Sequence, residues 1–206
     1  MTITYPLAFP TSFGASEFNI DLVRAVAVSE SPFSFAQQVQ EHPGEAWEIG
    51  FVLNLLNRDQ AEEYNAFLLS LAGRVGTFTM AVPGSETPRG VATGTPLVKG
   101  ASQTGRSLII DGFTISTTGI LKVGDWIQLG SGSTTRLHKV LADVNSNGSG
   151  EVTVDIAPKI ITAPADNDPV VVTNAKGLFR LKRNTNPVNI KPPNQHSVQF
   201  SAREAR

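Results

Sequence analysis

The chain has 206 residues, of which 40% are hydrophobic and 17% charged; that is enough apolar material for a packed core and excludes a disordered polyelectrolyte. Seventeen Lys and Arg against eighteen Asp and Glu leave a formal net charge of -1, which argues against a duplex-DNA binder and against a polyanion mimic. The absence of cysteine excludes disulfides, thiolate zinc sites and cysteine nucleophiles.

The first segment reads as an irregular arm. Pro6, Pro10 and Gly14 break it, and Tyr5, Leu7, Phe9 and Phe13 run along it. An arm this apolar must lie on its own domain or on a neighbour. Nothing in Met1 to Pro6 resembles a basic, apolar secretory signal, so synthesis in the cytoplasm is expected. No run approaches about 18 apolar residues, so no membrane-spanning helix is expected.

The next stretch alternates with period two. Phe18, Ile20, Leu22, Arg24, Val26 and Val28 share one face, and Ser31-Pro32 interrupts the pattern. Alternation resumes at Phe33, Phe35, Gln37 and Val39, His42-Pro43-Gly44 reads as a turn, and Trp47, Ile49, Phe51 and Leu53 alternate again. Residues 17–54 therefore predict an antiparallel meander or a long hairpin. A helix follows over 58–72. Asn57 and Gln60 are spaced as a capping box, Ala61, Tyr64, Phe67, Leu68 and Leu71 form an apolar stripe, and Gly73 is a stop. A strand over 77–82 ends at Pro83-Gly84.

From about residue 91 to 172 the strands shorten and turn residues become denser. Leu108 to Ile110 leads to a turn at Asp111-Gly112, and Ile120, Leu121 and Val123 lead to Gly124-Asp125. Further strands fall at Trp126 to Leu129, Leu137 to Leu141, Val152 to Ile156 and Val170 to Thr173. Such a run predicts a small β-barrel or sandwich. Leu178 to Leu181 and Val198 to Ala202 are longer strands again, separated by an Asn- and Pro-rich loop ending at Pro192-Pro193. The expected fold is thus mainly β. A β-sandwich domain over 1–90 and 173–206, with one covering helix, is interrupted by an inserted β-barrel over 91–172.

No catalytic constellation emerges. His42, His138 and His196 have no metal-ligand spacing. Gly130 to Ser133 and Gly148-Ser149-Gly150 sit between strands and read as hairpin turns, not nucleophile elbows. Glu62-Glu63 are helix-surface residues, and Asp143, Asn145, Asn147 and Glu151 fail the spacing of a calcium loop. Trp47 and Trp126 read as core residues. Neither an enzyme activity nor a cofactor or metal site is expected. A scaffold or binding role follows, and Thr134, Thr135, Asn145 and Asn147 are candidate saccharide contacts.

The segments Gly44-Glu45-Ala46-Trp47-Glu48, Arg58-Asp59-Gln60-Ala61-Glu62 and Gly73-Arg74-Val75-Gly76-Thr77-Phe78 together resemble a family of tailed-phage and prophage tail proteins. So do Gly94-Thr95-Pro96-Leu97-Val98, Gly124-Asp125-Trp126-Ile127-Gln128-Leu129, Leu137 to Asp143 and Val198 to Glu204. The family is that of distal tail proteins of long, non-contractile tails. The resemblance implies a virion protein whose β-sandwich forms a ring, typically a hexamer, at the lower end of the tail tube. That ring joins the tube to the hub and fibre proteins, and DNA passes through its lumen without being read. The alternatives are a carbohydrate-binding module of a tail tip and a tail-tube or terminator ring protein. A ring needs head-to-tail contacts, and Tyr5, Phe9, Phe33 and Phe35 are the candidate subunit-interface residues.

Overall fold

The computed structural model describes residues 3–11, 15–185, 188–191 and 195–206. Phe13 and Gly14 of the arm and the Pro192-Pro193 pair lie outside them. The chain is mainly β with one α-helix among the described residues.

Strands β1 (Leu7–Ala8), β2 (Glu17–Glu30), β3 (Gln37–Leu56), helix α1 (Arg58–Ser70) and β4 (Phe78–Ala81) precede six strands that form a separate sheet. Those six are β5 (Gly94–Val98), β6 (Gly105–Phe113), β7 (Trp126–Leu129), β8 (Arg136–Val140), β9 (Val152–Ile160) and β10 (Val170–Val171). The chain then returns with β11 (Lys176–Leu181), β12 (Val188–Lys191) and β13 (Gln195–Glu204). The outer strands form one seven-stranded sheet in the order β1-β4-β11-β13-β3-β2, with β12 beside β13. The inner six run β10-β7-β8-β9-β6-β5. A bridge between Leu97 and Pro169 and the bond from the Val98 N–H to the Asp168 carbonyl bring the two ends of that order together, nearly closing a barrel.

Each body has its own core. The Asn57 side chain accepts from the Gln60 N–H at 2.9 Å and the Gln60 side chain accepts from the Asn57 N–H at 3.2 Å, so the expected capping box starts α1. The helix lays Ala61, Tyr64, Phe67 and Leu68 onto a sheet face carrying Ile49, Phe51, Leu53, Phe78, Phe179, Val198 and Phe200. It ends at Ser70, and Ala72 and Gly73, both at positive φ, turn the chain back. The barrel is filled by Val98, Leu108, Ile110, Ile120, Leu121, Ile127, Val140, Val154 and Ile156.

Three expected boundaries are corrected. His42-Pro43-Gly44 is not a turn but lies within β3. The register steps from Arg24 opposite Glu45 to Val26 opposite Glu41, so residues 42–44 bulge against Ala25, where a proline without N–H is tolerated. Phe33 and Phe35 do not resume a strand; they sit in the β2–β3 turn, with Phe35 at φ 55. Asp111-Gly112 lies inside β6, where Gly112, at φ 78, absorbs a second register shift against β5. Strands β1, β5 and β12, which lack long alternation, were not legible as strands.

Candidate interaction surface

Strands β2 and β3 form a long hairpin whose two halves have opposite fates. Near its base, Phe18 pairs with Phe51, Ile20 with Ile49 and Leu22 with Trp47, and these residues face the core. Beyond Arg24 the core ends but the strands continue. Residues 24–44 are exposed except half-buried Ser31, so among the described residues nothing covers either face of this ribbon beyond its root, where Glu41 meets Arg106 and Lys159. Its free part spans about 20 Å at the rise of a β-strand. On the continuation of the core-facing side, Val26 is opposite Glu41 and Val28 is opposite Val39. At the tip the rings of Phe33 and Phe35 are 95% and 72% exposed. The tip itself is shaped by local bonds: the Phe35 N–H donates to the Ser31 carbonyl at 2.9 Å and the Ser31 N–H to the Ala36 carbonyl at 3.0 Å.

The four candidate interface residues thus separate into two pairs. Phe9 sits among Phe51, Tyr64, Phe67, Phe78 and Phe200, its ring centroid 4.9–5.9 Å from theirs. Tyr5 packs on the same core and its hydroxyl donates to the Ser70 carbonyl at 2.7 Å. The arm is therefore laid on its own sheet, and β1 pairs in parallel with β4. Among the described residues, nothing covers Phe33, and Phe35 remains largely exposed.

At the root of the ribbon the barrel is clamped to the sheet. Glu45, almost fully buried, receives the Arg106 guanidinium, the Lys159 N–H at 2.8 Å and Arg24 at 3.5 Å. Burial alone would raise the Glu45 carboxyl, but the Lys159 amide and the Arg106 and Arg24 charges outweigh it and hold the group below its ordinary value. Glu41 pairs with Arg106 at 3.5 Å and with Lys159 at 3.3 Å. Nearby, Trp47 and Trp126 meet edge to face at 5.0 Å, and the Trp47 indole N–H donates to the Leu137 carbonyl at 2.8 Å. A β-carbon at Gly177 would strike the Phe179 ring and stand 3.3 Å from the Leu137 β-carbon, so this glycine eases the contact between the two bodies.

The residues weighed for chemistry do not converge. His138 is buried, with Nδ1 2.8 Å from the Pro158 carbonyl, and burial pushes it down to about 4 despite that bond. His196 is also buried, its Nε2 without a partner among the described residues, and His42 is exposed in the bulge. Asp143 and Asn145 accept from the Val123 and Gly119 amides, and Asn147 accepts from Ser149 and Glu151. Glu151 is paired with Lys99. These side chains shape loops, and Thr135 is buried, so the four candidate saccharide contacts do not form one surface. Asp125, not singled out in the sequence, is buried and accepts from the Arg89, Gly90 and Lys122 amides, tying the first interdomain connection to the barrel. Among the described residues, no group of three or more His, Cys, Asp or Glu is placed to hold a metal ion.

No protein-family profile matches the chain, and no curated protein matches it significantly.

Proposed function

We propose that this chain is a structural subunit of a phage tail, a ring protein at the distal end of a long non-contractile tail that joins the tail tube to the hub and fibre proteins. The observation that carries this reading is the uncovered β2–β3 ribbon. A two-stranded ribbon is marginal in water, and free strand edges with exposed Val26, Val28, Phe33, Phe35 and Val39 invite association. A neighbouring copy that receives this ribbon on a different surface makes a head-to-tail contact, and such contacts close into rings when the rotation allows. The inserted barrel, held by Glu41, Glu45 and Trp47, fits a second β-domain carried by each subunit.

The test is mass in solution and position in the particle. The intact protein is expected to assemble as a closed ring, a hexamer on this reading. The double variant Phe33→Ser, Phe35→Ser is expected to run as a folded monomer. A wild-type protein that stays monomeric at every concentration, and that no antibody finds at the tail tip of purified particles, would overturn the reading.

A further inference from the structure

We infer that the solvent face of β11 and β13 is a sequence-independent binding surface for the phosphodiester backbone of DNA. The inference needs one copy of the chain only and does not rest on ring formation.

Cross-strand neighbours share a sheet face. One row of the seven-stranded sheet reads Arg180, Arg203, Glu48, Asp21 across β11, β13, β3 and β2. Arg180 and Arg203 are directly opposite one another and both exposed; like charges so placed repel, and Glu48 relieves this from the Arg203 side alone. The same two residues line a concavity of about 310 Å³ with Arg74, Lys182 and Arg206. Among the described residues, two carboxylates form ion pairs with these five cations. Glu48 pairs with Lys182 at 2.7 Å and with Arg203 at 3.3 Å, and the buried Glu204 lies 3.8 Å from Arg206. Counted by ion pairs, three of the five positive charges have no carboxylate of their own, with Asp21 standing beyond Glu48 in the same row, in a chain whose formal net charge is -1.

The surface is partly preorganised. Arg180 Nη1 donates to the Arg74 and Val75 carbonyls at 2.9 and 3.3 Å, which restrains the exposed guanidinium. Arg74 has an exposed side chain with no ion pair among the described residues. Four of the five cations are arginines, whose planar forks suit phosphate oxygens. A protein partner is less suited, because the fully buried core of a protein interface is depleted of charged residues and this surface is made of them. Among the described residues, no large exposed hydrophobic lines the concavity, and Val75 meets it through its carbonyl. Successive phosphates on a strand supply repeated negative charge that one carboxylate cannot.

The experiment is fluorescence anisotropy of a labelled random-sequence duplex titrated with the full chain. Neutralising three phosphates predicts that affinity falls about 40-fold between roughly 50 and 200 mM salt. The variant Arg74→Gln, Arg180→Gln should leave one contact and a fall of only about 3-fold, with weaker binding at low salt. Its unfolding midpoint, measured in parallel, shows whether the fold is kept, and Arg74→Gln alone is the milder control. The Phe33→Ser, Phe35→Ser protein should bind as the wild type does, which separates this inference from the ring. No binding at low salt, equal binding by the arginine variants, complete competition by inorganic phosphate at millimolar concentration, or arginine-dependent self-association without DNA would each overturn it.

Discussion

At the residue scale, buried ionisable groups set how the protein responds to pH. Glu45 lies below its ordinary value in the fold, so its contribution is present above about pH 4.5 and is lost as the pH falls through the lower folded value. Glu45→Gln is expected to cost about 3 kcal/mol near neutrality, because it leaves Arg106 and Arg24 without their buried partner. The difference from wild type in urea unfolding should shrink in acid. His138 behaves differently. Its value falls from 6.5 when unfolded to about 4 when folded, so between these limits the unfolded chain binds the extra proton and stability drops as pH falls. That drop amounts to about 3 kcal/mol. His138→Asn should remove it, seen as a flatter profile of unfolding free energy from pH 6.5 to 4. Burial of both groups was invisible in the sequence: Glu45 stood only as one letter of a family-like segment, and its partners Arg106 and Lys159 are 61 and 114 residues away.

Individual elements were legible where local chemistry decides them. The α1 cap is written in Asn57 and Gln60, and Asn57→Ala is expected to lower stability by about 1 kcal/mol in thermal or urea unfolding. The β2 pattern is equally plain, since alternation persists after the core has ended. Where that pattern failed, at His42-Pro43-Gly44 and Asp111-Gly112, turn-forming residues serve bulges inside longer strands. A bulge is defined by its partner strand, so local sequence cannot distinguish it from a turn. The aromatic residues of the arm and of the hairpin tip look alike as letters but differ in energetic weight. Phe9→Ala should cost about 3 kcal/mol, because the ring sits inside an aromatic cluster. The Phe33→Ser, Phe35→Ser variant should unfold within about 0.5 kcal/mol of wild type per subunit when compared as monomers. Equal losses from both would contradict the division between an arm packed at home and a free ribbon.

At the scale of the whole molecule, the two bodies are joined by more than their connections. Trp47 packs on Trp126 and bonds to Leu137, while Glu45 is completed by Arg106 and Lys159 of the barrel. Trp47→Ala is therefore expected to cost about 4 kcal/mol. It should also split one thermal transition into two, with the barrel and the sheet unfolding separately in calorimetry; a single unshifted transition would show that the junction does not couple them. Period-two alternation, one helical stripe and a capping box were enough for the sequence alone to determine a mainly β chain with a single helix, because these patterns are imposed by nearest-neighbour geometry. The same residues could not disclose that the Phe33 and Phe35 ribbon stands clear of the core, or that Arg74, Arg180, Lys182, Arg203 and Arg206 line one concavity. Net charge averages over the surface, and exposure depends on which distant strands arrive alongside; only the pairing of β11 with β13 and of β13 with β3 segregates the charge and leaves the hairpin bare.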